Sequence, residues 1–354
     1  MIYYLPIEPL EERYTSQWYR WFPTEFKNQG LECTTIDGET LNSKIETGTF
    51  LDINSTLFYK AEQLKKIAQL FFEKKIKAGD IFFIADIEFW GIESIKYLSV
   101  LNGIDTKIFG FCHAASYTRE DFFEQCASFG KYYEEAWFNT FDLIFVGSEY
   151  HKGQMVKLRN APPEKVIVSG NPYDIKEVKN SIKIKEKKNR VILTNRPDYE
   201  KRPNLTLDVF EILKSKHPDW EFCVTTGRDV WGRGWIREKA ELLEKNKIIT
   251  IYQNLSKKEY LSLLQESKVM VSNSIEENFG YCILEALLFD TIPILTNDYS
   301  HPELVSDEKR CLFNSIDEEI KLIEEAMFEP FSVSNRAYKY NKSLFHIVDT
   351  IKHY

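Results

Sequence analysis

Short apolar runs alternate along the whole chain with longer stretches whose apolar positions recur at helical spacing. In the first half the runs Met1–Leu5, Ile81–Ala85, Lys107–Cys112, Leu143–Val146 and Val166–Val168 read as strands, and Thr15–Asn28, Leu57–Lys75 and Ile92–Leu101 as helices. After a break at Gly170-Asn-Pro-Tyr-Asp174 the alternation resumes. Strands are expected at Val191–Thr194, Phe222–Thr225, Ile248–Tyr252, Val269–Ser272 and Ile292–Leu295, with helices at Leu205–Lys216, Ser256–Glu266 and Asn335–Tyr354. Ser256 followed three residues later by Glu259 is a capping-box signature. Strands that alternate with helices predict an α/β fold with parallel sheets and helices on both faces.

A chain of 354 residues exceeds one ordinary core, so two domains are expected, 1–172 and 190–334, joined by a linker at 173–189 and followed by a terminal helix at 335–354. The linker overlaps a strongly basic stretch, Lys176–Arg190, which holds seven cations and two glutamates and reads as a solvated helix. No run approaches the roughly 20 apolar residues of a membrane span, and Met-Ile-Tyr-Tyr-Leu-Pro lacks the pattern of a signal peptide. The expectation is a soluble, cytoplasmic protein without stable membrane insertion. Six cysteines are scattered without a C-x-x-C pair, which suits reduced packing residues better than ligands or disulfides. Residues 1–170 carry 24 acidic against 18 basic side chains, so that half offers no broad cationic face to lipid or duplex DNA.

The candidate chemistry is concentrated in Ser274–Leu287, Ser-Ile-Glu-Glu-Asn-Phe-Gly-Tyr-Cys-Ile-Leu-Glu-Ala-Leu. Strands are predicted on either side, and the motif fills the loop and helix between them. If Gly280 opens a helix running to Leu288, Glu277 lies in the loop before it and Glu285 about a turn and a half inside. A helix N-terminus offers unpaired N–H groups to a diphosphate, here around Asn278, Phe279, Gly280 and Tyr281, and the two carboxylates accept hydrogen bonds from hydroxyls. The bland alternative is one acidic residue near a helix start and another facing solvent.

This segment resembles the donor-site motif of retaining GT-B glycosyltransferases, especially glycosyltransferase family four. In Val191–Lys201, Arg196 and Lys201 have the spacing of that family's basic pair. The resemblance implies two Rossmann-like parallel-sheet domains with a cleft between them, 1–172 binding the acceptor and 190–334 a nucleotide sugar. It also implies a terminal helix that packs back on the first domain. It places Glu285 on the ribose, Glu277 on sugar hydroxyls, Arg196 and Lys201 on the leaving diphosphate, His113 near the donor sugar, and Tyr252, Leu255 and Ser256 near the base. Retention of configuration by front-face attack follows from the same likeness, with no metal and no cofactor beyond the nucleotide-diphosphate sugar. The chain departs from the family at Pro6–Tyr14, where many relatives have a glycine-rich loop; Arg13 is the candidate substitute as an anion contact. Asp86, beyond the strand Ile81–Ala85, is a candidate acceptor-facing carboxylate rather than half of a metal-binding pair with Glu88.

The acceptor is less legible. Arg13–Phe22 and Arg228–Arg237 interleave arginines with aromatics, a mixture that can stack on bases and grip phosphates, although for each stretch alone aromatics at helical spacing are more often core. The N-terminal pattern has a weak similarity to bacteriophage-encoded glycosyltransferases, which favours a hydroxymethylated pyrimidine in phage DNA as acceptor, in host cytoplasm. A saccharide or glycolipid acceptor is the alternative, and a catalytically silent nucleotide-sugar-binding module is the reading from another class.

Overall fold

A computed structural model describes residues 1–10, 16–41 and 52–354 of the chain. Contacts divide it into two compact units, Met1–Pro172 together with Lys342–Tyr354, and Tyr173–Asn341.

The first unit runs β1 (Ile2–Leu5), α1 (Trp18–Asn28), β2 (Cys33–Thr35), α2 (Ile53–Phe72), β3 (Ile81–Ile84), α3 (Ser94–Leu101), β4 (Lys107–Cys112), α4 (Ala127–Thr140), β5 (Leu143–Val146), α5 (Glu149–Arg159) and β6 (Val166–Val168). Its strands form one parallel sheet in the order β2-β1-β3-β4-β5-β6. Runs such as Ile-Phe-Phe-Ile in β3 and Leu-Ile-Phe-Val in β5 are buried almost throughout, as strands covered on both faces must be. Helix α1 turns Trp18, Trp21, Phe22 and Phe26 into the core, where Trp18 meets Phe111 edge-on at 4.9 Å between ring centres. Asp52 caps α2 by accepting from the Ser55 amide at 2.7 Å.

The second unit runs α6 (Ile175–Asn180), β7 (Lys188–Leu193), α7 (Pro203–Lys216), β8 (Glu221–Thr225), α8 (Gly234–Lys245), β9 (Thr250–Tyr252), α9 (Lys257–Glu266), β10 (Ser267–Ser272), α10 (Tyr281–Leu288), β11 (Ile292–Thr296), α11 (His301–Leu304), β12 (Leu312–Phe313) and α12 (Ile316–Phe328). Its parallel sheet has the order β12-β11-β10-β7-β8-β9. The expected capping box at Ser256 and Glu259 is present. The last helix, α13 (Ser343–His353), returns to the first unit, where Lys352 donates to the Gln29 carbonyl at 2.9 Å and Tyr354 packs edge-on against Phe109 at 5.1 Å.

In doubly wound sheets the strand order reverses at one point, and ligands bind outside the carboxyl ends of the strands there. The reversal falls between β1 and β3 in the first unit and between β7 and β10 in the second.

The basic stretch 176–190 is helical only over its first part. Its later cations are fastened to the second unit: Lys185 to Glu266 at 2.6 Å, Lys187 to the Ser267 carbonyl at 2.7 Å and the Thr291 hydroxyl at 2.8 Å, and Arg190 to Glu221 at 2.7 Å. The expected terminal helix from Asn335 is two pieces, a 3₁₀ segment Ser334–Tyr340 and then α13. All six cysteines are free thiols. Among the described residues no helix is long and apolar enough to cross a membrane.

Candidate functional site

The loops after β7 and β10 meet at the reversal point of the second sheet. Asn195, just beyond β7, holds them together: its side-chain amide donates to the Ser272 hydroxyl at 2.6 Å and the Ser274 hydroxyl at 3.1 Å. The Ile275 amide donates to the Glu200 carbonyl at 2.8 Å. This scaffold brings Lys201 to Glu277, Nζ to Oε2 at 2.9 Å, with a second bond from Nζ to the Glu276 carbonyl at 3.2 Å. Burial alone would raise the Glu277 carboxyl, but the charge and hydrogen bond of Lys201, with Arg196 near, more than offset it and hold the group below its usual range. Burial likewise acts to lower the Lys201 ammonium, while Glu277 and Glu200 win and hold it up. Both groups are therefore charged at neutral pH.

Gly280 takes φ +83° ahead of α10, and a Cβ there would lie 2.9 Å from Ile283 Cδ1 and 3.3 Å from Glu277 Cγ. Only glycine lets the chain turn into the helix without displacing Glu277. The helix begins at Tyr281, one residue later than expected, and Glu285 is its fifth residue. Rather than facing solvent, Glu285 is 2 % exposed, and its Oε1 accepts from Tyr173 at 3.0 Å and Lys257 at 2.5 Å. Phe279 is buried and packs edge-on against Tyr281 at 5.6 Å. Asn278 lies between Glu277 and Phe279 in the same loop.

Arg196 is the more open of the basic pair, 39 % exposed, and contacts Asp198 at 3.4 Å and Glu200 at 3.2 Å. Burial, countered by Asp198 and reinforced by Arg196 and Arg233, lowers the Arg228 guanidinium. Arg228 thus joins Arg196 in a cationic cluster that the strand-end reading missed, because its segment read as a base-stacking surface. His301, at the start of α11, was missed as well. It is fully buried; Nδ1 sits 3.0 Å from the Thr296 carbonyl, which only accepts, so Nδ1 carries the proton. Burial pushes this imidazole down to about 4, so it stays neutral beside Glu277. Tyr252 lends its hydroxyl to Glu221 at 2.7 Å, Ser256 caps α9, and the Leu255 amide donates to the Thr226 carbonyl at 3.2 Å.

The reversal point of the first unit carries a different set. Glu8, beyond β1, accepts from Ser55 at 2.6 Å and Thr56 at 2.9 Å. Asp86, beyond β3, pairs with Lys60 at 3.2 Å. Lys60 also donates to the Glu88 carbonyl. His113, beyond β4, donates from Nε2 to the Ala85 carbonyl at 2.9 Å and stacks at a tilt against Trp18 at 4.7 Å. Asp86 and His113 are thus on neighbouring strand ends. Arg13 lies outside the described residues. Among the described residues no group of three or more His, Cys, Asp or Glu is arranged to hold a metal ion.

Most of the aromatics interleaved with arginines belong to the core, as their helical spacing favoured. Trp18, Trp21 and Phe22 are core residues, and so is Trp231, while Arg237 is paired with Glu241 at 2.6 Å. Of the second stretch, Trp235 remains half exposed.

Two six-stranded parallel sheets with these strand orders are the GT-B fold of glycosyltransferases. Residues 174–343, the second unit nearly from end to end, match the family described as Glycosyl transferases group 1. Among solved structures, sucrose-phosphate synthase from Thermosynechococcus elongatus aligns with a TM-score of 0.69 at 12% identity, over 99% of this chain and 96% of that one. The E. coli trehalose-6-phosphate structure bound with UDP-2-fluoro glucose aligns with a TM-score of 0.64 at 12% identity, over 100% and 99%. S. aureus TarM in complex with Fondaparinux, alpha-GlcNAc-glycerol and UDP aligns with a TM-score of 0.55 at 15% identity, over 84% of this chain and 58% of that one. No curated protein matches the chain. The family match and the shared fold support a glycosyltransferase.

Proposed function

We propose that the chain is a glycosyltransferase that takes its sugar from a nucleotide-diphosphate donor with retention of anomeric configuration and without a metal ion. The observation that carries this reading is the Lys201–Glu277 pair at the reversal point of the second sheet, where the ends of β7 and β10 meet. Breaking the bond between sugar and phosphate leaves positive character on the ring and negative charge on the departing diphosphate. Arg196 and Lys201, with Arg228 near, supply the cationic side; the N-terminal turn of α10 adds its amides. Glu277 accepts from the sugar hydroxyls, and Glu285, anchored by Tyr173 and Lys257, from the ribose. Uridine donors are supported by the UDP-2-fluoro glucose and UDP bound in two of the similar structures.

For the acceptor, a saccharide hydroxyl is the better supported reading. The hydroxymethylated pyrimidine of phage DNA rested on aromatic and arginine residues of which Trp18, Trp21, Phe22 and Trp231 are core. A base-stacking role is left to few of them.

The test is mass spectrometry of the protein incubated with a panel of nucleotide sugars and acceptors: mono- and disaccharides, and DNA with and without hydroxymethylcytosine or hydroxymethyluracil. A sugar-sized mass gain on a saccharide is expected, with slow donor hydrolysis when no acceptor is present. A gain only on hydroxymethylated DNA would reverse the acceptor assignment, and neither transfer nor hydrolysis with any donor would overturn the enzyme reading. Glu285→Ala is expected to weaken donor binding about tenfold.

A further inference from the structure

We propose that the donor's sugar stacks its apolar face on the ring of Tyr299, so that this residue selects a pyranose donor. This rests on the glycosyltransferase reading and names a sugar-recognising side chain which that reading leaves open.

Tyr299 stands in the short loop between β11 and α11, and its backbone is left-handed, with φ +59°. A side chain of that bulk is a genuine outlier there, because Cβ crowds the following carbonyl oxygen. Among the described residues nine other non-glycine positions have a positive φ, and none of them is aromatic. The neighbouring entry, from β10 into α10, makes its left-handed turn with Gly280.

The loop itself imposes the conformation. The Thr296 carbonyl accepts from the Asp298 amide at 2.9 Å and from His301 Nδ1 at 3.0 Å. The His301 amide donates to the Asp298 carbonyl at 3.2 Å, and the Tyr299 amide to Asp298 Oδ1 at 2.8 Å. Glycine would make the same turn without strain, so a tyrosine held this firmly at the carboxyl end of a strand is kept for what its ring does.

The same loop is fastened to Glu277. The Ser300 amide, next in the chain, donates to the Glu277 carbonyl at 3.3 Å. The Tyr299 ring meets the His301 ring edge-on at 6.2 Å between centres, and His301 lies close enough to Glu277 to feel its charge. Phe279, the aromatic of the Glu277 loop, is buried against Tyr281 and Tyr340, whereas Tyr299 is only half-buried.

A pyranose is amphipathic, with hydroxyls around its edge and C–H groups across a face. A carboxylate accepts from the edge, and the electron-rich face of an aromatic ring takes the polarised C–H groups. Glu277 and Tyr299 supply one of each. The positive character that grows on the sugar during transfer is favoured by the same ring face.

The experiment is isothermal titration calorimetry of the full chain and its Tyr299→Phe, Tyr299→Ala and Tyr299→Gly variants with UDP, ADP and GDP and with their glucose and N-acetylglucosamine conjugates. In the alanine and glycine variants the conjugate that binds best should bind roughly tenfold more weakly, while the bare nucleotide stays within twofold. Tyr299→Phe should keep both affinities. Tyr299→Gly should melt about 1–3 °C above Tyr299→Ala, because it releases the left-handed strain. Conjugate and nucleotide weakening in step, no change in either, or a loss in Tyr299→Phe equal to that in Tyr299→Ala would overturn the assignment. So would a glycine variant that melts no higher than the alanine one. An unaltered chain that binds none of the conjugates fails the donor reading itself, separately from these outcomes.

Discussion

The two reversal points occupy equivalent places in two sheets of the same size, yet their charges are balanced in opposite ways. In the second unit four carboxylates around these loops have cations: Glu277 has Lys201, Glu285 has Lys257, and Asp198 and Glu200 share Arg196. In the first, among the described residues, Asp86 has Lys60 and hydroxyls satisfy Glu8. One centre sets cations directly beside its carboxylates. The other, in its described residues, holds its carboxylates with hydroxyls and one ammonium. Similar topology therefore fixes where a ligand goes, and the side chains at the strand ends decide which ligand it is.

The contrast can be broken most forcefully at Lys60. Lys60→Met removes an ion-pair partner of half-buried Asp86 and the donor to the Glu88 carbonyl, and is expected to destabilise the protein by about 3 kcal/mol, read from urea unfolding at pH 7; a midpoint equal to that of the unaltered chain would show that Lys60 does not hold these strand ends together. On the other side, Lys201→Ala is expected to lower turnover about 100- to 1,000-fold. Steady-state kinetics with the best donor check this, and a change confined to KM would mean that Lys201 binds donor without answering the charge that develops in the transition state.

Gly280→Ala forces a side chain into a left-handed backbone and against Glu277, at a cost of about 1–3 kcal/mol. Calorimetry should show a lower melting temperature together with reduced turnover. Normal turnover in a destabilised variant would separate the helix entry from the carboxylate it is held to position.

The smallest effect sharpens the comparison from behind the site. Glu319, buried on α12, accepts from Asn273, the residue that leads into the Glu277 loop, at 2.7 Å. Burial, partly countered by that bond, pushes its carboxyl up to about 7. Between pH 4.5 and about 7 the folded chain therefore keeps a proton that the unfolded chain has released, so stability falls as pH rises through this window. Glu319→Gln has no such proton to lose. Its melting temperature should gain on the unaltered chain across the window, by the equivalent of about 1–2 kcal/mol, and hold that gain above it; a gap that ignores pH would remove Glu319 from the account.

What was legible in the sequence follows from how local the signals are. The central strands of both sheets were read to within a few residues because a short, continuous apolar run between turns fits little besides a strand buried on both faces. The edge strands Cys33–Thr35 and Leu312–Phe313 went unread, being too short to carry a pattern. Helix α5 was missed for another reason: the stripe it buries is His151, Met155 and Arg159, so its inward face is largely polar. The motif around Glu277 and Gly280 was readable because a loop, a glycine and a helix start lie in one segment. Lys257, Tyr173, Arg228 and His301 became visible only when distant segments came together. In the first unit almost all of the strand-end network is tertiary, joining residues 8, 55, 56, 60, 86 and 88, and only the neighbouring Asp86 and Glu88 stood out beforehand.

The return of Ser343–His353 to the first unit also bears on how the protein is made. A ribosome delivers residues in order, so the second unit, continuous from Tyr173 to Asn341, has its whole sequence available before the first unit receives its last helix. Until then the flank of α1 around Gln29 and the Phe109 ring of β4 lack the cover that α13 and Tyr354 provide. The domain begun first during translation is the domain finished last.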